Sequence, residues 1–197
     1  MAAPTIVAPA VLVDPGYLFW APLASAVPTH TVAGSVFTDT WAAPWVWLGA
    51  TTEGSNLNTS VSVEYVRAAE IFNPVGSSIT EQNTSITFAC LSYTLNNLKR
   101  INNGGTVATV SGTGATTLGK YTPPTQSGVT RSMIGWESTD GTLRAVLYQT
   151  LNTGDIEMAF KRAPDAATLP GTFSCEVPVG STVPYEMWSA GVARLGT

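Results

Sequence analysis

One histidine, two cysteines and thirteen carboxylates are all that this chain of 197 residues offers for acid–base, nucleophilic or metal chemistry. His30 lies in "VPTHTVAG", a proline-bounded stretch with no carboxylate and nucleophile placed to make a triad of it. Cys90 and Cys175 sit far apart in β-like apolar runs, "ITFAC" and "TFSCEV", and read as buried free thiols. One His and two separated Cys do not make a zinc site, and neither "DTW" nor "TDGT" fits a calcium loop. Glu53, Glu64, Glu70 and Glu81 fall in one hairpin region. Glycoside hydrolysis needs two carboxylates at a defined gap, whereas glutamates on open strand faces read as solvated charges. "SGTGATTLGK" is Gly-rich but lacks the GK[ST] ending of a phosphate loop. Asn58 and Asn83 each open an "NTS" triplet, a glycosylation signal only for a secreted chain. No catalytic, cofactor-binding or metal-binding residue is assigned, and no enzyme activity or cofactor is expected.

The composition points the same way. Charged residues make up 11% of the chain against the usual ~25%, and the net charge is −4. The surface must be Thr, Ser, Asn, Gly and backbone, as in secreted β-proteins or subunits buried in an assembly. There is no basic run to hold nucleic acid. The N-terminus "MAAPTIVAPAVLVDPGYLFW" has no basic start and is interrupted by proline, a poor secretion signal. No apolar run reaches the 18 residues of a membrane helix. Maturation in a bacterial-type cytoplasm, with no membrane partner, is the expectation.

The elements that would position these residues are mostly strands. Residues 1–44 read as an N-terminal arm, punctuated by Pro4, Pro9, Pro15, Pro22, Pro28 and Pro44 yet rich in aromatics (Tyr17, Phe19, Trp20, Phe37, Trp41). Such an arm docks on its own domain or on a neighbour, with "GYLFWAPL" and "GSVFTDT" as short strands. Residues 45–197 read as a single β domain. "WVWLGA" is a short strand, "TTEG" a turn, and a long strand runs from Ser55 towards Glu70. "IFNPVGSS" supplies turn chemistry, and a second long strand runs from Ile79 to Cys90. "SYTLNNLKRINNGG" is the one predicted helix, with Ser92 as N-cap, Leu91, Leu95, Leu98 and Ile101 as its apolar stripe, and Lys99 and Arg100 suiting the dipole at its end. Residues 104–128 read as a flexible Gly/Thr excursion with one short hairpin. "RSMIGWE", "LRAVLYQTL", "IEMAF", "TFSCEVPV" and "YEMWSAG" follow as strands, with "STDGT" a strong turn signal and "KRAPDAATLPG" a loop. The predicted fold is mainly β: a sandwich or partly open barrel with one flanking α-helix, long β-hairpins and an extended N-terminal arm.

The best patterned stretch is "SNLNTSVSVEY", Ser55 to Tyr65. Leu57, Thr59, Val61, Val63 and Tyr65 share one parity, and Asn56, Asn58, Ser60, Ser62 and Glu64 the other, so a strand here has an apolar and a polar face. It is about twice the usual strand length. Thr59, Val61 and Val63 are expected to pack on the chain's own core.

The order of an aromatic arm, "WVWLGATTEG", a long polar strand, "AEIFNPV", a helix, "AFKRAPDAATLPGTFSCEVP" and a closing Trp strand resembles the major tail protein, or tail tube protein, of long-tailed bacteriophages, especially those of actinobacterial hosts. The resemblance runs from about Gly16 to Thr197, and Trp45 to Gly54 followed by "AEIFNPV" is its most specific part. It implies a phage tail tube fold, no enzymatic activity, and assembly of the chain with itself into stacked hexameric rings around a channel for DNA. Long hairpins would join into a barrel lining the lumen, making Asn56, Asn58, Ser60, Ser62 and Glu64 candidate lumen-facing residues. Tyr17, Phe19, Trp20, Phe72 and Pro74 are candidate contacts between subunits or rings. Other expected partners are the tape measure, tail terminator and distal tail proteins; DNA passes in transit without specific binding, and the location is the virion tail. On this reading deletion of residues 1–20 blocks tube growth and leaves the domain folded. The main alternative is a carbohydrate- or receptor-binding β-sandwich, with Trp20, Trp41, Trp45, Trp47, Trp136 and Trp188 available for a groove; a hydrolase would need a clustered acid pair in a pocket.

Overall fold

Alternating apolar and polar residues become strands over most of the chain. The computed structural model describes residues 15–67, 69, 71–112, 118–158 and 166–191. It is mainly β, with antiparallel sheets and one α-helix. The strands are β1 (Tyr17–Pro22), β2 (Val32–Ala33), β3 (Val36–Phe37), β4 (Val46–Trp47), β5 (Thr51–Val66), β6 (Gly76–Cys90), β7 (Thr106–Ser111), β8 (Leu118–Thr122), β9 (Ser132–Glu137), β10 (Leu143–Asn152), β11 (Leu169–Cys175) and β12 (Tyr185–Ser189). The helix α1 spans Leu95–Ile101.

The main sheet runs β4-β1-β9-β10-β11-β6-β5, with β12 beside β10. Its core is formed by Leu18 of β1, Ile86, Phe88 and Cys90 of β6, Ile134 of β9, Leu147 of β10 and Leu169 and Phe173 of β11, with Leu98 and Ile101 of α1 packed against them. One sheet thus supplies most of the core, and the helix contributes to it as well. Buried Asn97 ties α1 down by donating to the carbonyls of Leu48 (2.9 Å) and Ser92 (3.0 Å). β7 and β8 form a separate hairpin inside the Gly/Thr segment.

A second cluster lies apart from this core. Ala21, Trp45, Met133 and Val146 are buried there with Phe19, Val27, Trp41, Tyr148 and Trp188 against them. Residues from 27 to 45 thus reach across β1, β9, β10 and β12. Gly135 shows how closely they lie: a Cβ at that position would overlap the ring of Trp41.

Several expectations are corrected. β1, placed in the arm by sequence, is an interior strand between β4 and β9, with Leu18 and Ala21 buried. A deletion through residue 20 therefore removes core, and the domain would not stay folded. "TTEG" is no turn but the start of β5: the register slips between Thr51 and Ser55, and Gly54 absorbs the bend at φ 80° while the chain stays beside β6. "WVWLGA" is a strand only at Val46–Trp47. The N-cap of α1 is Thr94, whose side chain accepts from the Asn97 N–H, and Ser92 instead supplies a carbonyl. Leu91 and Leu95 of the predicted stripe are exposed, while Asn97 is buried. Residues 156–158 of "IEMAF" are not a strand, and the rest of that segment lies outside the described residues. "LPG", expected in a loop, opens β11.

Candidate assembly surface

Side chains directly opposite in an antiparallel pair share a face, so the β5–β6 register builds both faces of the long hairpin. Asn56 opposes Thr87, Asn58 opposes Ser85, Ser60 opposes Asn83, Ser62 opposes Glu81, and Glu64 opposes Ser78. All five candidate lumen residues thus lie on one face, which β6 completes with polar residues of its own. It carries Glu64 and Glu81 and no Lys or Arg. On the other face Leu57 opposes Ile86, Thr59 opposes Thr84, Val61 opposes Gln82, and Val63 opposes Ile79. A slip in register between Ser62 and Val63 makes this possible. Strict alternation along β6 would place Ile79 with Glu81 on the polar face; the extra residue moves it opposite Val63 and brings Ser78 opposite Glu64.

The two halves of this hairpin differ in cover. β11 pairs with β6 only from Ser85 to Cys90. Over that length Ile86, Phe88 and Cys90 are buried. Beyond it the hairpin runs on as a two-stranded ribbon from Ser60 to Val66 and back from Gly76, roughly 23 Å at about 3.3 Å per residue. Thr59 is exposed, Val61 is 48% exposed, Val63 40% and Ile79 67%. The expectation that Thr59, Val61 and Val63 pack on the chain's own core is therefore wrong: among the described residues all three stay exposed. β5 is also the end strand of the sheet, and no described strand pairs with its outer edge. A two-stranded ribbon is marginal alone in water, and a long apolar edge invites another strand. The tip adds Ile71, Val75 and Phe72, the last 103% exposed, with Pro74 exposed beside it.

The other candidate contacts are divided. Tyr17 is exposed and meets the exposed Trp47 edge-on, ring centroids 6.3 Å apart. Phe19 stacks on Trp41 at 4.7 Å. Trp20 packs against the core and carries the Arg100 guanidinium over its ring at 5.5 Å.

Sequence reasoning missed Arg144, whose signal was a lone cation in the apolar run "LRAVLYQTL". Its side chain is 1% exposed and donates to Asp39 Oδ1 at 2.8 Å and Glu137 Oε2 at 2.7 Å, with Phe37 and Trp41 rings beside it. Trp41 Nε1 also donates to Glu137. Burial pulls the Asp39 carboxyl up, but the hydrogen bond and charge of Arg144 outweigh it and leave its pKa below the ordinary value. Asp39, Glu137, Arg144, Tyr17 and Trp41 line a shallow cleft of about 400 Å³. An acid pair in an aromatic cleft is the arrangement a glycosidase would need, but one partner must hold a proton. Both carboxylates here bind one guanidinium, and Asp39 is shifted away from the protonated form. The arrangement clamps residues 30–39 to the sheet. Nearby, the His30 ring stacks on Trp188 at 3.9 Å, and its two buried nitrogens have no hydrogen-bond partner among the described residues. Burial, then the charge of Arg144, lowers its pKa.

Cys90 and Cys175 are free, and burial pushes both thiols up to about 12. Among the described residues no three His, Cys, Asp or Glu gather as metal ligands, and no helix is long and apolar enough to cross a membrane. Compared with known proteins, the chain matches no family model and no curated protein.

Proposed function

We propose that this chain is the self-assembling subunit of a bacteriophage tail tube, that its fold is the tail tube fold, and that it forms stacked hexameric rings through which DNA leaves the virion. The observation that carries the reading is the β5–β6 ribbon, with an open edge, an uncovered apolar face and a polar face of Asn, Ser, Thr and Glu free of cations. In a ring each ribbon edge pairs with a neighbour, which removes the edge. The same head-to-tail contact repeats until the ring closes. Val61, Val63 and Ile79 then find cover outside their own chain. Asn56, Asn58, Ser60, Ser62 and Glu64 line the channel, where hydrated groups and a few carboxylates let DNA pass without holding it. The tip with Phe72 and Pro74 reaches the next ring. The chain works in the virion tail, is assembled in the host cytoplasm, and meets the tape measure, terminator and distal tail proteins at the tube and its ends.

Negative-stain microscopy of the purified chain tests this directly. Tubes or six-fold rings are the expected result; a monomer that persists at high concentration would sink it. The exposed Tyr17–Trp47 pair favours a second reading, a carbohydrate- or receptor-binding module. Sugar binding by that monomer, lost in Trp47→Ala, would establish it instead.

A further inference from the structure

Three of the nine Lys and Arg residues line one cavity. It is about 680 Å³, opens at the C-terminal end of α1, and includes Trp20, Lys99, Arg100, Asn103, Thr130 and Arg131 in its wall, with no carboxylate among the lining residues. Cations at a helix end usually answer its free carbonyls. Here three of the last four helix carbonyls, and that of Asn103 just beyond, already have donors. Leu98 accepts from the Asn102 N–H at 2.9 Å, Lys99 from the Gly104 N–H at 2.9 Å, Ile101 from Asn152 Nδ2 at 2.7 Å, and Asn103 from the Thr130 N–H at 2.8 Å. Lys99 and Arg100 both line the cavity.

Arg131 is paired with Glu176 at the surface. Neither Lys99 nor Arg100 forms an ion pair among the described residues. Arg100 lies over the Trp20 ring and donates to Asn97 Oδ1 at 2.7 Å, and burial lowers its pKa. It is a cation partly stripped of water with no anion to offset the loss. Glu53, Asp155 and Glu157, which lie off the channel-lining face, are exposed, and they too form no ion pair among the described residues. Among the described residues one molecule thus carries a pocket with two cations that have no acidic partner, and exposed carboxylates elsewhere with no basic one, the complementarity a head-to-tail contact needs.

We propose that this cavity is a socket for a carboxylate-bearing segment of a second copy of the chain, with Lys99 and Arg100 meeting its acidic side chains. The proposal rests on the self-assembly reading and adds a contact separate from the hairpin. To test it, ¹⁵N-labelled and unlabelled full-length chains are mixed, assembled and treated with a carbodiimide. The reagent joins the Lys99 amine to a touching carboxylate as an amide and takes up the released water as its urea. The expected product is a mixed-isotope peptide pair joining Lys99 to an Asp or Glu, present in assemblies and absent from dilute protein. Assemblies in which Lys99 stays unlinked, or links only within one chain, overturn the socket and leave the tube reading standing; failure to sediment as assemblies removes both. Lys99→Glu, on an exposed helix position, is expected to raise the critical concentration by about tenfold or more with an unchanged circular dichroism spectrum. Wild-type assembly of that variant, with the same spectrum, also overturns the proposal. Assembly inhibited by millimolar citrate but not by equal ionic strength of chloride is expected; equal inhibition by both counts against a carboxylate site.

Discussion

Arg144 is the side chain on which most of the local structure turns. Removing it strands Asp39 and Glu137 beside buried aromatics with no counter-charge, so Arg144→Ala is expected to cost about 3–5 kcal/mol in urea unfolding of dilute protein. Arg144→Lys recovers only part, because an ammonium does not span both carboxylates as a guanidinium does. The pH dependence follows from the two shifted groups beside it. His30 and Asp39 both have folded pKa values below their ordinary ones of 6.5 and 3.8. Below its ordinary value the unfolded chain takes up a proton that the folded chain refuses, so stability is lost as pH falls. The urea midpoint is therefore expected to be flat from pH 8 to 7, to fall below about 6.5 as unfolded His30 protonates, and to fall again below about 4. In His30→Phe the first fall disappears and the second stays; a first fall of the same size in that variant would show that another group is responsible. None of this was legible in "VPTHTVAG" or "LRAVLYQTL": pairing 39 with 144, and 30 with 188, is a matter of which strands lie side by side.

At the scale of elements, the β5–β6 hairpin and β1 make opposite predictions. The ribbon beyond Ser60 has its apolar face in water, so Val61→Asp with Ile79→Asp is expected to leave the unfolding midpoint of dilute protein almost unchanged and to abolish sedimenting assemblies. A fall in the midpoint large enough to unfold the chain would mean that these residues are core after all. β1 behaves the other way. Deletion of residues 1–20 removes Leu18 from the core and one of the two neighbours of β9, so no cooperative unfolding transition is expected; deletion of 1–14 spares the strand. Gly135→Ala, which drives a methyl group into the Trp41 ring, is expected to cost about 1–3 kcal/mol as an overpacked site. The amphipathic pattern of β5 was plain in the sequence because alternation is local. Where its cover ends was not, because that depends on β11, over a hundred residues later in the chain, stopping at Ser85.

For the molecule as a whole, the uncovered ribbon, the open β5 edge and the cationic socket are surfaces that a neighbour can complete. If they act together, the proposed assembly depends on salt at the proposed socket and much less at the hairpin. Raising NaCl to 1 M, where the screening length falls to about 3 Å, is expected to raise the critical concentration of the wild type more than that of Lys99→Gln, which keeps only Arg100 in the socket. Light scattering against protein concentration reads this, and equal salt responses of the two proteins would separate the socket from assembly.

By itself the sequence determined the class: low charge and alternating strands made the chain mainly β with one helix, and the faces of β5 followed from a two-residue period. The structure alone decided that β1 belongs inside the sheet, that "TTEG" bends without turning, and that Thr80 makes the bulge that carries Ile79 over to the apolar face. It also decided that Val61 and Val63 face solvent and that Lys99 and Arg100 line a cavity with no carboxylate among its lining residues. The physical reason is common to all five. Periodicity and propensity are properties of neighbours along the chain, whereas cover, register and charge partners are set by residues that only folding brings together.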